Sequence, residues 1–262
     1  MMPPGGSAAR GEALAEMSVL QHQILTDKKV GEWLAAAAGE DLNDVEQANL
    51  REMTRQYQQA SLLPESLVEA KSLAGSKCEH AWRTQRPAND WQGFSANLKE
   101  VVKLSREEAR LRAEAKGCSP YDALLDIFEP DMTSARLDVL FADMKSWLPD
   151  LLANVVDKQS RQTFVPPQGP FPTATQRERG LEAMKMLGFD FNGGRLDVSA
   201  HPFCGGVPED VRITTRYDED ELLSALFGVI HETGHARYEQ NLPRAWAGQP
   251  VALARSTAIH ES

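Results

Sequence analysis

At 262 residues the chain is long enough for one large or two modest domains with a sizeable buried core. Its 28 basic and 38 acidic residues leave a net charge of -10, which disfavours phosphate-backbone binding, and no nucleic-acid motif is present. Neither the opening MMPPGGSAARGEALAEM nor any later segment carries the apolar run of a secretory signal or a membrane span of ~18 residues, so a soluble cytoplasmic protein is expected, with no membrane partner.

Residues 11 to about 115 are rich in Ala, Leu, Glu, Lys, Arg and Gln. Breaks at Gly31, Pro64 and Pro87 divide them into four or five consecutive helices, with Trp33, Trp82, Trp91 and Trp147 as packing anchors along the helical region. A further helix is predicted over 121–128 and another over 134–159, broken or bent near Pro149. The four prolines and one glycine of 163–172 form a linker, after which Thr173 or Thr175 caps a helix ending near Gly188. Segments 196–203 and 211–217 alternate apolar and polar residues and read as two strands. The turn-rich Cys204-Gly205-Gly206-Val207-Pro208-Glu209-Asp210 joins them in a hairpin. Cys78, Cys118 and Cys204 are odd in number and form no CxxC pair, which argues against a disulfide framework or a thiolate zinc finger.

A helix follows over 218–242, with Leu222, Leu223, Leu226, Val229 and Ile230 at helical spacing. The acidic cluster Asp218 to Glu221 suits its N-terminus and Pro243 its end. It carries His231-Glu232-Thr233-Gly234-His235, and Glu261 follows 26 residues after the second histidine. Positions i and i+4 share a helix face, so His231 and His235 direct two imidazoles at one ion. Glu232 lies beside that face, where a carboxylate not spent on the ion takes a proton from water. Glu261 completes three ligands and leaves one position open, which is the arrangement of a catalytic zinc site. The terminal carboxylate of Ser262 is a competing oxygen donor. Close packing or metal approach is the reading for Gly228 and Gly234, which are costly inside a helix. His201 and the pair Arg212 and Arg216 are candidate substrate contacts, although a packed turn and solvent-facing arginines are the ordinary alternatives. The fold class is mainly α: a helical array over 1–160, a Pro-rich linker over 161–175, and a metal-binding region with a small β-hairpin over 176–262.

Taken together, His201-Pro202-Phe203, Asp210-Val211-Arg212-Ile213-Thr214-Thr215-Arg216-Tyr217, His231-Glu232-Thr233-Gly234-His235 and His260-Glu261-Ser262 resemble the thermostable metallocarboxypeptidases of the carboxypeptidase Taq type. Upstream, Tyr121-Asp122-Ala123-Leu124-Leu125-Asp126, Glu129-Pro130-Asp131-Met132-Thr133 and Met2-Pro3-Pro4-Gly5-Gly6 extend the likeness over nearly the whole chain. The resemblance implies a largely helical, cytoplasmic, often homodimeric enzyme with a zincin-type active-site helix, which removes residues singly from peptide C-termini. It implies one divalent ion, usually zinc, with cobalt or another divalent metal as alternatives, held by His231, His235 and Glu261, and Glu232 as general base. The family pattern is longer, with a helix before Met2 and an arginine-bearing motif for the substrate carboxylate beyond Ser262, so the chain reads as a fragment. Arg237 and Asn241 stand where the pattern expects an apolar residue and a glycine. Two other readings stay open: a non-catalytic helical fragment, and a zinc aminopeptidase or endopeptidase.

Overall fold

The computed structural model describes residues 4–261. Ser262, with its terminal carboxylate, and Met2 and Pro3 lie outside them. The chain divides into two compact units, Met1–Ser134 with Gly248–Val251, and Ala135–Ala247 with Ala252–Ser262.

The first unit is helical throughout: α1 (Ser7–Leu25), α2 (Lys28–Ala37), α3 (Asp44–Ser61), α4 (Glu65–Gln85), α5 (Trp91–Lys116) and α6 (Pro120–Phe128). α1 packs on α4, α4 on α5, and α5 on α6. Local capping sets the boundaries. Asp27 accepts from the Lys29 amide, Asn43 and Glu46 form a reciprocal capping box, and Ser119 accepts from the Asp122 amide one residue before Pro120 opens α6. Gly31 does not break the helix as predicted. It lies inside α2, where an added Cβ would stand 2.6 Å from the Tyr57 hydroxyl of α3, so the glycine serves a close helix crossing and Asp27 starts the helix. Three of the four tryptophans also depart from expectation, because Trp33 and Trp91 are 67% and 64% exposed and Trp147 is exposed, whereas Trp82 is half-buried. The centre of this unit holds charges instead. Glu108 pairs with Lys71 and Arg112, Arg112 reaches the Gln59 carbonyl at 3.0 Å, and Gln59 donates at 2.8 Å to Asp126, which also pairs with Lys116 and Arg55.

In the second unit α7 (Ser134–Ser160) runs unbroken through Pro149, at an exposed position where water can serve the carbonyl deprived of its partner. No residue of α7 is buried. Residues 163–172 form no helix or strand, in keeping with their prolines. α8 (Thr173–Met186) starts without either predicted threonine cap: the Glu219 side chain accepts from the Thr173 amide at 3.2 Å. Gln176 of α8 donates to the Phe171 and Asp218 carbonyls at 2.7 Å each, which ties the start of α8 to the approach to the next helix.

The sheet has three strands rather than the predicted two. β1 (Gly194–Val198) runs parallel to β3 (Asp210–Thr215), and β2 (Phe203–Val207) pairs antiparallel on the other side of β3, giving the order β1-β3-β2. The predicted 196–203 strand therefore stops at Val198, and the supposed turn 204–207 is itself an edge strand. Its ladder with β3 needs only backbone groups from Cys204-Gly205-Gly206, and the Thr214 hydroxyl accepts from the Phe203 amide at 3.1 Å where the strand begins. α9 (Leu222–Gln240) crosses this sheet. Glu221 caps it, accepting from the Leu223 and Ser224 amides at 3.1 and 2.8 Å. Met184 and Phe189 from α8 and its exit, Leu196, Val211 and Ile213 from the sheet, and Val229 and Ala236 from α9 form one buried cluster. Each larger aliphatic side chain buried there is worth about 1.5–3 kcal/mol. Among the described residues no helix is long and apolar enough to cross a membrane.

Gly194 is the tightest point of this core: an added Cβ would collide with the Val211 carbonyl oxygen and stand 2.7 Å from the Phe189 ring. Gly194→Ala is expected to cost about 1–3 kcal/mol through overpacking at the β1–β3 junction. Gly75→Ala, in the open middle of α4, should instead stabilise by up to ~1 kcal/mol. Urea unfolding of both variants checks the pair, and equal effects would refute the clash.

Candidate metal centre

Val229 and Ala236, seven residues apart on α9, anchor one face of the helix in the core. His231 and His235 project from a neighbouring face, their Nε2 atoms 3.1 Å apart. α10 (Thr257–His260) is a single turn capped by Ser256, and Glu261 follows it. The Glu261 Oε2 lies 3.6 Å from His235 Nε2 and 4.0 Å from His231 Nε2. A tetrahedral ion with ligands at ~2.0–2.1 Å sets its donor atoms roughly 3.3 Å apart, and the three separations scatter around that edge length. Two imidazole nitrogens and one carboxylate oxygen are a borderline-soft donor set suited to zinc and its divalent neighbours. Among the described residues these three form the group of His, Cys, Asp and Glu side chains able to hold an ion.

Glu232 is buried, 7% exposed, beside the histidines. Burial raises its carboxyl above the ordinary value, with Glu261 adding to the rise, while His231, His235 and His201 pull against it. Thr233, fully buried, satisfies its hydroxyl on the Val229 carbonyl at 2.6 Å, which leaves the helix register undisturbed. Of the two glycines, Gly228 makes ordinary packing distances of 3.6 and 3.7 Å to Thr215 and Pro202 for an added Cβ. Gly234 has nothing within 4 Å, so packing does not account for it.

The site opens into a cavity of about 530 Å3 lined by residues of α9 and β2 together with His260 and Glu261. His201 is exposed. Its Nδ1 lies 2.6 Å from the Pro202 carbonyl and its charge is felt by Glu232. Arg212 and Arg216 do not line the cavity. The guanidinium of Arg212 is engaged by Asp210 of its own strand, at 2.6 and 3.1 Å, and Arg216 reaches the Ala200 carbonyl at 3.5 Å. Three cavity features were not anticipated from the sequence. Cys204, half-buried on β2, has its thiol pushed up to about 11 by burial and by Glu232 and Glu239. The β2 backbone forms a wall where a turn was expected. Glu239 lies four residues beyond His235 and so continues the histidine row, a spacing legible in the sequence.

A mainly helical chain whose His-Glu-x-x-His helix crosses a small sheet, with an edge strand beside the histidines and a later glutamate beside them in space, has the framework of a metallopeptidase. The profile of the Carboxypeptidase Taq (M32) metallopeptidase family matches residues 1–262, and the chain belongs to that family. Thermostable carboxypeptidase 1 of Thermus thermophilus is 39% identical over 275 residues, covering 100% of this chain and 54% of the relative. Carboxypeptidase 1 of Bacillus subtilis is 34% identical, covering 99% of this chain and 52% of the relative. Among solved structures, Trypanosoma cruzi metallocarboxypeptidase 1 superposes with a TM-score of 0.84 at 49% identity, covering 99% of this chain and 53% of that one. The chain thus spans about half the length of the relatives it matches.

Proposed function

We propose that the protein is a zinc metallocarboxypeptidase that releases C-terminal residues one at a time from peptides. The observation carrying this reading is the convergence of His231 Nε2, His235 Nε2 and Glu261 Oε2 beside the buried Glu232. Membership of the family and the carboxypeptidase names of the relatives support the exopeptidase direction. A divalent ion held there supplies Lewis acidity, polarising the scissile carbonyl and acidifying water. Glu232, buried beside the two histidines and not among the three converging donors, takes the proton of the attacking water and returns it to the departing amine. β2, on the sheet edge, offers backbone donors and acceptors to an extended peptide laid along the cavity. His201, which does not line the cavity, is kept as a candidate substrate contact on the strength of its electrostatic reach to Glu232. Zinc as the physiological ion, cytoplasmic location and a homodimer are the accompanying proposals, all resting on the family likeness.

The test has two arms. Dialysed protein should take up one zinc per chain, and His235→Ala should weaken uptake at least ~100-fold, measured by competition with a chromophoric chelator. A peptide with a free C-terminus should lose single terminal residues while its C-terminal amide is spared. Internal cuts or N-terminal release would move the assignment to an endopeptidase or aminopeptidase. Absence of both zinc uptake and cleavage would leave the non-catalytic reading.

A further inference from the structure

The row of cavity-facing residues on α9 does not end at the second histidine. Glu239 stands one turn further on, and its Oε1 lies 3.1 Å from His260 Nε2. The ring of His260 lies nearly flat on that of His235, with centroids 4.7 Å apart and planes 13° from parallel. Tyr238 meets the His260 ring edge-on at 4.8 Å. His260 immediately precedes Glu261, at the end of a helix only four residues long. Such a turn has too few hydrogen bonds to hold its own shape in water, and the Glu261 side chain itself is exposed. The placement of Glu261 beside the histidines therefore draws on contacts beyond the turn itself, and the bond and stack of its neighbour His260 are two of them.

We propose that Glu239 and His260 are positioning residues: Glu239 grips the His260 imidazole, the stacked ring steadies His235, and the pair docks α10 so that Glu261 faces His231 and His235. The inference rests on the reading of those three as ion ligands. Neither Glu239 nor His260 belongs to the group whose donor atoms converge. The His260 ring presents its face to His235, and its Nε2 is spent on Glu239, so the geometry is that of a brace and not of a fourth ligand. Outer-sphere partners of this type orient ligands and tune their affinity.

The experiment uses the full chain and reads the dock with and without metal. In metal-free protein, hydrogen exchange of the 257–261 amides should accelerate about 10-fold or more in Glu239→Ala, the loss of one charge-assisted hydrogen bond. In zinc competition the same variant should bind ~10–100-fold more weakly, while its main thermal transition stays at the parent temperature. Glu239→Gln retains a carbonyl oxygen for the imidazole N–H and should restore both to within ~3-fold of the parent. His260→Phe keeps the stack but loses the bond, and should behave as Glu239→Ala. Unchanged exchange and affinity in Glu239→Ala would overturn the proposal. So would a Glu239→Gln variant as weak as Glu239→Ala, because the charge and not the hydrogen bond would then be acting. If the parent bound no zinc, the ligand reading would fall, and metal-free exchange would still decide the dock by itself.

Discussion

Glu232→Gln is expected to lower the peptide-hydrolysis rate by ~10²–10⁴-fold while zinc affinity stays within ~3-fold of the parent. The amide is isosteric, so it fits the buried position beside the histidines without moving them. It accepts hydrogen bonds but cannot take a proton at neutral pH. Only the ionised carboxylate is a base, so the parent's activity should rise with pH through the Glu232 titration, and the variant should lack that limb. A second consequence is independent of catalysis. A carboxyl whose folded pKa is raised binds its proton more tightly in the folded than in the unfolded chain, so its ionisation costs stability as pH rises past the unfolded value near 4.3. In metal-free protein at pH 7, Glu232→Gln should therefore be more thermostable than the parent, and the difference should vanish below pH ~4, where both states are protonated. Hydrolysis at the parental rate would remove Glu232 from the base role. Equal melting at pH 7 would show that its burial carries no strain.

The parts of the site legible in the sequence are those governed by local geometry. The i, i+4 spacing of His231 and His235 needs only a helix, and the apolar row with Glu221 at its head specifies one. Glu261 was placed by likeness to a family pattern, since no local rule links positions 26 residues apart; α10 achieves the link by a fold-back turn. The β2 strand was hidden because Gly205 and Gly206 carry turn chemistry, whereas an edge strand is defined by a partner, β3, that the local pattern does not reveal. Glu239 had the right spacing but an ordinary surface composition around it, and its role depends on His260, a contact made only after folding. The tryptophans show the converse error: Trp33 and Trp91 have anchor chemistry, yet the structure leaves them exposed.

The largest effect on stability is expected at Glu108, in the middle of the first unit. Its carboxylate side chain is 6% exposed and lies between Lys71 and Arg112, the latter 8% exposed and donating to it at 2.8 and 2.9 Å. Burial depresses both cations below their ordinary values, and Arg112 repels Lys71 in addition. Glu108 is the carboxylate in direct contact with both cations, while Asp126 and the bonds to Gln59 give Arg112 further support. Glu108→Ala should cost about 3–5 kcal/mol, because it removes the carboxylate in contact with two partly or fully buried cations and leaves Arg112 only Gln59 and the more distant Asp126. Screening by salt should recover little of this, since the site is withdrawn from water. Raising the pH should recover some: Lys71, with its folded pKa already lowered, sheds its proton before an unfolded lysine does, so stability returns as pH climbs towards the ordinary lysine value. The triple variant Lys71→Met, Glu108→Met, Arg112→Met replaces charges by apolar bulk and should lie much nearer the parent than Glu108→Ala alone. Chemical denaturation at pH 7 and pH 9.5 measures all of these. A loss under ~1 kcal/mol in Glu108→Ala would mean that water already reaches the two cations, and that α4 and α5 are held by their apolar faces and not through this charge.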